Sequence, residues 1–408
     1  MLKTYKFRLY PTKNQTEKLL WMLDTCRILY NSAFADRNRH YEETGKSLSR
    51  TDQQRILVKD KKNIDYLTQI HSQVLQDVLF RVERAYQGFF RRLKAKSGKA
   101  GFPRFKSAGR YDSITYPQSG FSIIDGKLKL SKLGSIKLKQ HRNINGNIKT
   151  CNIKRESDKW YVCFSVEYAG KEKNTHIKTH TGIDMGIKSY AVFSDSNRKP
   201  IDNPKYLIES EERLIRKQRR LSSKKKGSNN SKKAITAVAK LYKHVANQRK
   251  DFQHKKSREI VNRYDAIGVE DLRISNMVKN HNLAKSISDG GWGQFLSYLE
   301  YKAEEAGKLF MRVNPRNTSK MCSVCGYINA DLKLSDRQWA CPVCNTLHDR
   351  DINAARNIDK IMLDKIRQEL PEYTLGETGY ADDIVDSNIY ALKSAPFANQ
   401  EAYQFIDG

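Results

Sequence analysis

Two Cys-x-x-Cys pairs, Cys322-Ser-Val-Cys325 and Cys341-Pro-Val-Cys344, stand fifteen residues apart, and Gly326 and Asn345 directly after them suit knuckle turns. Four thiolates at this spacing fit one closed, tetrahedral Zn²⁺, which is structural and not catalytic because sulfur fills every position. A segment of roughly thirty residues has too little apolar core to fold without such an ion. His348 is a substitute ligand that four available cysteines make unnecessary. A redox reading needs only one pair beside a βαβ unit and is set aside.

A second set is acidic. Asp184 lies in Thr181-Gly-Ile-Asp-Met-Gly-Ile-Lys188, inside an expected central strand, where a charge is costly unless it binds a cation. Glu270 closes Ala266-Ile-Gly-Val-Glu270, at the C-terminal end of another buried-type strand, where ligands gather in open α/β sheets. Asp351, in His348-Asp-Arg-Asp351, opens a helix that continues through Asn353, Ala354, Ala355 and Ile358. Brought together, three hard oxygen ligands suit two Mg²⁺ or Mn²⁺ ions about 3.5–4 Å apart, one activating a water and the other stabilising the leaving oxygen of a phosphodiester. Each residue also has a plainer use: Asp184 in a backbone turn, Glu270 paired with a lysine, Asp349 or Asp351 capping the helix. Asp349 is set aside as the third ligand in favour of Asp351.

The rest of the chain must supply the frame and the charge. Its 408 residues hold 75 Lys and Arg against 45 Asp and Glu, a net charge of +30. From Ile361 to Gly408 the balance is −6, so residues 1–360 carry +36. A body this basic calls for a polyanion, and nucleic acid is the usual one. There is no apolar run of the roughly 20 residues that span a bilayer, which excludes an integral membrane protein. The N-terminus alternates basic and apolar residues, unlike a signal peptide, so a cytoplasmic location is expected. Cys26, Cys151 and Cys163 are read as buried apolar fillers.

Tyr5, Phe7 and Leu9 alternate with Lys6 and Arg8 as in a half-buried strand that Pro11 stops. Asn14 and Glu17 have capping-box spacing, Leu19 to Tyr30 recur at helical spacing, and Val74 to Phe90 make a second apolar stripe, so residues 13–95 read as a helical module. Ser113 to Tyr168 read as an antiparallel barrel or sheet, with turns at Asp125-Gly126, Leu133-Gly134 and Asn145-Gly146. The first strand is expected to join it, making the helical module an insertion. After a polar linker at 170–178, Thr181–Phe193 reads as strand, turn, strand. The stretch 204–264 reads as a basic helical hairpin with its seam at Val238, Leu241, Val245 and Phe252. Lys224-Lys225-Lys226 lies in its turn, as a solvated or phosphate-contacting loop instead of a localisation signal.

Together, Gly182-Ile-Asp-Met-Gly-Ile-Lys188, Gly268-Val-Glu270, Thr318-Ser-Lys-Met-Cys-Ser-Val-Cys-Gly326 and His348-Asp-Arg-Asp-Ile-Asn-Ala-Ala-Arg-Asn-Ile358 resemble the TnpB family of transposon-encoded proteins. Lys6-Phe-Arg-Leu-Tyr-Pro11, Gly101-Phe-Pro-Arg-Phe-Lys106 and, more loosely, Ser286-Ile-Ser-Asp-Gly-Gly-Trp-Gly-Gln-Phe295 extend the likeness over residues 1 to about 360. The resemblance implies a multidomain α/β chain: an RNase H-like (RuvC) nuclease domain with an inserted zinc ribbon, and a small antiparallel β-barrel (wedge) carrying a helical recognition insertion. It divides the chain into a wedge (1–12 and 104–170), a recognition domain (13–103), a nuclease domain (171–320 and 346–362, with the hairpin near 204–264), a zinc ribbon (321–345) and an acidic, disordered tail (363–408).

The same resemblance implies an RNA-guided double-stranded DNA endonuclease related to type V CRISPR effectors. Asp184, Glu270 and Asp351 fall on the family's catalytic triad and Cys322, Cys325, Cys341 and Cys344 on its zinc ligands. Its expected partners are a guide RNA from the transposon end and a double-stranded DNA target, with no membrane, in a ribonucleoprotein holding one protein chain and nucleoid-associated when on DNA. Ser72, Gln73 and Gln76 lie where the family reads a short flanking motif, and Arg104 and Lys106 in a matched basic segment are further nucleic-acid contacts. A guide supplies the sequence readout, so the protein needs mainly backbone contacts and a positive channel. Three other functions compete: a guide-directed regulator that has lost cleavage, a transposase acting alone, and an RNA-binding or structural zinc protein. The intact Asp, Glu and Asp set argues against the first and third, and the lack of a distinct strand-transfer motif against the second.

Overall fold

The alternation of Tyr5, Phe7 and Leu9 builds β1 (Leu2–Tyr10), all three side chains being buried. The computed structural model describes residues 1–95, 100–333 and 335–376, which fall into two units: 1–171 with 205–251, and 172–204 with the described residues from 252 on.

In the first unit, β1 leads to α1 (Lys13–Thr44), α2 (Arg50–Asn63), α3 (Asp65–Thr68) and α4 (Ser72–Lys94). Then come β2 (Ser113–Tyr116), β3 (Phe121–Ile124), β4 (Lys127–Leu130), β5 (Gly134–Lys139), β6 (Asn147–Glu156) and β7 (Lys159–Glu167). These seven strands form one antiparallel sheet in the order β2-β6-β7-β1-β5-β4-β3, so β1 is its central strand and the helices interrupt the sheet in sequence. Among the described residues no pairing joins β2 to β3. The sheet is a half-barrel where the sequence suggested a barrel, because helices, not strand closure, cover its apolar face: Leu19, Met22 and Cys26 of α1 and Val74 and Val78 of α4 share one core with Phe7, Ile153 and Phe164. Cys163 is only half-buried, unlike Cys26 and Cys151.

The cap of α1 differs from expectation. Thr12 and Gln15 form the capping box, two residues before Asn14 and Glu17, since Pro11 ends the strand and the helix begins at once. The basic hairpin consists of α5 (Tyr206–Glu209), α6 (Glu211–Ser222) and α7 (Asn229–Arg263). Up to Asp251 it groups with the first unit instead of the 171–320 body assigned from sequence. Ion pairs hold it there: Lys243 bonds Glu156, which also takes Lys6 at 2.5 Å, and Lys240 bonds Asp158 at 2.8 Å.

The second unit contains β8 (His176–Ile177), β9 (His180–Asp184), β10 (Ser189–Phe193), β11 (Ile201–Asp202), β12 (Ala266–Glu270), α8 (Ile274–Met277), α9 (His281–Gly290), α10 (Trp292–Glu305) and β13 (Leu309–Val313). It closes with β14 (Gln338–Ala340), β15 (Leu347–Asp349), α11 (Arg350–Glu369) and β16 (Thr374–Leu375). Its main sheet has the order β11-β10-β9-β12-β13, with β9, β12 and β13 parallel and β10 antiparallel to β9. Ile183, Ile267 and Val269 pack on one face with Ile260, Phe295 and Leu299, and Ala266 and Val313 on the other with Ile358, Met362 and Ile366 of α11.

α11 continues to Glu369 and β16 pairs in parallel with β8, so the stretch 363–376 is ordered where the sequence suggested a disordered tail from 363. Burial of Ile366 extends the helix past the last residue of the matched motif. The expected disorder of 377–408 concerns residues outside those described. No described helix is long and apolar enough to cross a membrane.

Candidate active site

Asp184 is the last residue of β9 and Glu270 the last of β12. The two strands are parallel with His180 level with Ala266 and Ile183 level with Val269, so both carboxylates end adjacent strands side by side. Side chains alternate along a strand, which puts Asp184 on the face of Gly182 and Glu270 on the face of Gly268. α11 covers that face. A β-carbon on Gly182 would lie 2.1 Å from the Ala355 carbonyl oxygen, so only glycine lets the helix come this close. Asp351 stands one helical turn before Ala355, toward the strand ends that carry the other two carboxylates.

The electrostatics agree with one shared space. Burial, followed by the charges of Glu270 and Asp351, pushes the Asp184 carboxyl up to about 8, with Arg350 opposing. Burial also raises Glu270, against a hydrogen bond donated by the Thr318 hydroxyl. Carboxylates that feel one another's charge repel, and carboxylate oxygen is the donor type that hard divalent cations take. Asp349 serves the helix instead. Its Oδ1 accepts from the backbone N–H of Asp351 at 3.0 Å and of Ile352 at 3.1 Å, which makes it the cap of α11. Arg337 pairs with Asp351 at 3.5 Å.

The four cysteines converge as well. Their Sγ atoms all lie within 4.8 Å of one another, with Cys322 to Cys344 at 3.6 Å and Cys325 to Cys341 at 3.5 Å. Sulfurs bound tetrahedrally to zinc are separated by about 3.8 Å, so the set fits that ion. Gly326 and Asn345 take positive φ, 79° and 55°, as knuckle turns require. His348 Nε2 lies 3.0 Å from Cys322 Sγ and its ring packs on Trp339, so this histidine supports the knuckle from outside the four sulfurs.

Sequence reasoning left three buried polar residues without a role. Thr318 reaches Glu270; Asn357 Nδ2 donates to the carbonyls of Thr318 at 2.8 Å and Met321 at 2.6 Å; Asn353 Nδ2 donates to Met321 O at 2.7 Å and its Oδ1 accepts from Ser323 N at 2.9 Å. The loop entering the first cysteine pair is thereby fastened to the helix that bears Asp351. Two asparagines spaced i, i+4 beside buried alanines are the signal that could have revealed them, since a buried amide must find partners.

The suggested nucleic-acid contacts of the first unit are partly engaged in the fold. Gln73 Oε1 accepts from Gln118 N at 3.3 Å and Ser119 N at 3.0 Å, and Ser72 Oγ from Lys61 Nζ at 2.8 Å. Gln76 and Arg104 are exposed, and the Lys106 ammonium lies 5.5 Å above the Tyr30 ring.

Residues 162–281 match a family model described as "Probable transposase", residues 292–358 one described as "Cas12f1-like, TNB domain", and residues 1–46 one described as "Helix-turn-helix domain". The last span folds as β1 and one continuous helix up to Thr44. A Streptomyces pristinaespiralis protein named "Putative RNA-guided DNA endonuclease" is 33% identical over 367 residues, which cover 87% of this chain and 88% of that protein. The InsQ protein of Escherichia coli K12, of the same description, is 30% identical over 376 residues, 88% and 91% of the two chains. Further relatives are named TnpB-like. The chain belongs to the TnpB family. The fold of this TnpB-family chain is also similar to that of Cas12f1 in a cryo-EM structure with sgRNA and target DNA, with a TM-score of 0.54 and 14% identity over 88% of this chain and 98% of that one.

Proposed function

We propose that the chain is an RNA-guided double-stranded DNA endonuclease that binds a transposon-derived guide RNA, reads a short flanking DNA motif and hydrolyses phosphodiester bonds at Asp184, Glu270 and Asp351. The observation that carries this reading is the parallel register of β9 and β12, which sets Asp184 and Glu270 level on the face that α11 covers. The names of the two near-full-length relatives support the reaction class. Cations held there would activate water and stabilise the leaving oxygen. The protein's own contribution is placement. Glu270 is oriented by Thr318, Asp351 is set on a helix capped by Asp349, and the close approach at Gly182 fixes the distance between helix and sheet. The four cysteines are read as a single structural zinc site, and the basic body as the surface that holds guide and target.

The test is cleavage of a plasmid library with a randomised flank by protein co-expressed with RNA from its own locus, in Mg²⁺, beside Asp184→Ala. Guide-dependent cutting that Asp184→Ala abolishes, with target binding retained, is the expected result. Cutting by Asp184→Ala at the wild-type rate would overturn the assignment. Binding without cutting by the wild type would favour a guide-directed regulator.

A further inference from the structure

The first unit bears a surface that neither the carboxylates nor the cysteines use. α4 ends with Phe89-Phe90-Arg91-Arg92-Leu93-Lys94, and Gly101-Phe-Pro-Arg-Phe-Lys106 returns beside it, Arg92 Nη2 donating to Gly101 O at 3.1 Å. Phe102 meets Phe89 edge-on with centroids 5.1 Å apart, and Phe105 meets the buried Phe34 edge-on at 4.8 Å. A packed aromatic cluster thus braces these rings from beneath. Even so, Phe90, Phe102 and Phe105 are 51%, 50% and 59% exposed. Between Glu83 and Asp112 the sequence has nine Lys or Arg and no carboxylate, and Glu83 itself is held by Arg37 at 2.6 Å.

Exposed, braced rings in a stretch of sequence rich in cations and free of carboxylates fit one partner chemistry. An apolar protein face would leave the cations uncompensated, and a duplex offers phosphates while hiding its base faces. An unpaired polynucleotide presents both phosphates and bases, and stacking tolerates any sequence. Resting on the reading above, in which RNA stays bound while single-stranded DNA forms only transiently, the occupant that keeps an aromatic patch covered is RNA. We propose that Phe90, Phe102 and Phe105, with Arg92 and Arg104, form a stacking platform for an unpaired stretch of the bound RNA.

The test is fluorescence anisotropy of the full chain with a labelled oligoadenylate RNA of about 12 nucleotides, the same strand with central abasic sites, and single-stranded DNA of equal length. The base-bearing RNA is expected to bind about tenfold tighter than the abasic strand. That ratio should collapse in a Phe90→Leu, Phe102→Leu double variant, which keeps apolar bulk without a π-face, and survive in the matching Tyr variant. A wild-type ratio near unity overturns the proposal, as does a Leu variant that keeps the preference or DNA binding as tight as RNA. So does a concentration-dependent oligomer that the Leu variant disperses, which would make the patch a contact between copies. No cleavage is involved, so failure here is separate from failure of the nuclease reading, which the Asp184→Ala assay reports.

Discussion

The Thr318 hydroxyl donates a hydrogen bond to the carboxylate of Glu270, across 48 residues of sequence. Thr318 is buried, and its own carbonyl accepts from Asn357 on the helix that bears Asp351. One residue therefore touches the arrangement of two of the three carboxylates. Replacing it with valine keeps the shape and removes the donor. Thr318→Val is expected to lower the single-turnover cutting rate about tenfold, the worth of one charge-assisted hydrogen bond, while RNA and target binding stay unchanged. Thr318→Ser should restore the rate. Valine and wild type cutting alike would show that Glu270 needs no such support.

Asn357 is fully buried and gives its amide to two carbonyls, those of Thr318 and Met321. Leucine there would take this donor from the buried Thr318 carbonyl and leave Met321 O with Asn353 alone, at about 1–3 kcal/mol. Asn357→Leu should therefore destabilise the protein by about 1–3 kcal/mol in denaturant unfolding. Loss below about 0.5 kcal/mol would mean that water replaces the amide without cost.

Gly182 tests whether the helix-to-sheet distance matters to the site. An added β-carbon would come within 2.1 Å of Ala355 O and 2.5 Å of Asp359 N, both backbone atoms with no side-chain freedom to yield. α11 would have to lift, carrying Asp351 with it. Gly182→Ala is expected to cost about 3 kcal/mol of stability and to reduce cutting more than RNA binding. An alanine variant with wild-type unfolding and wild-type cutting would contradict this packing.

How far the sequence revealed this site depended on the kind of signal. The cysteine spacing and the strand-end position of Glu270 are local patterns, whereas Asp184 was expected inside its strand and is instead its last residue, level with Glu270. The sequence leaves open which of Asp349 and Asp351 caps the helix, and the backbone contacts of Asp349 give it that part. Thr318 and the two asparagines were not legible in this way. Their partners lie some 30 to 50 residues away in sequence, so the i, i+4 asparagines could signal a buried polar pair but not which atoms it meets. The hairpin was read correctly as helices, but up to Asp251 it groups with the first unit, where its attachment rests on lysine pairs with Glu156 and Asp158 that composition does not single out.

The cysteine cluster has a core of its own consisting of little beyond Leu332, Trp339 and the cysteines themselves. Such a core cannot outweigh the entropy of ordering the segment, so zinc is expected at one ion per chain by elemental analysis. Chelation or Cys322→Ser should unfold this region, seen as new proteolytic cleavage there. It should also slow cutting, because Asn353 and Asn357 would lose the Met321 carbonyl they share. Active wild-type protein free of zinc would sink the assignment.

Glu156 joins three parts of the first unit: it lies on β6 and bonds Lys6 of β1 and Lys243 of α7. Burial pushes its carboxyl up, but the hydrogen bonds from Lys243 and Lys6 outweigh this and hold it below its ordinary 4.5. A carboxyl depressed in the folded state contributes stability above its unfolded pKa and loses it as pH falls through the folded one. Glu156→Gln should thus be less stable than wild type by about 1 kcal/mol at neutral pH, a figure reduced for solvent screening. The gap should close as the pH falls through the lowered pKa of the folded state and shrink in high salt. A gap of equal size at acid and neutral pH would mean that the glutamate acts by packing, and that its charge does not hold the hairpin to the sheet.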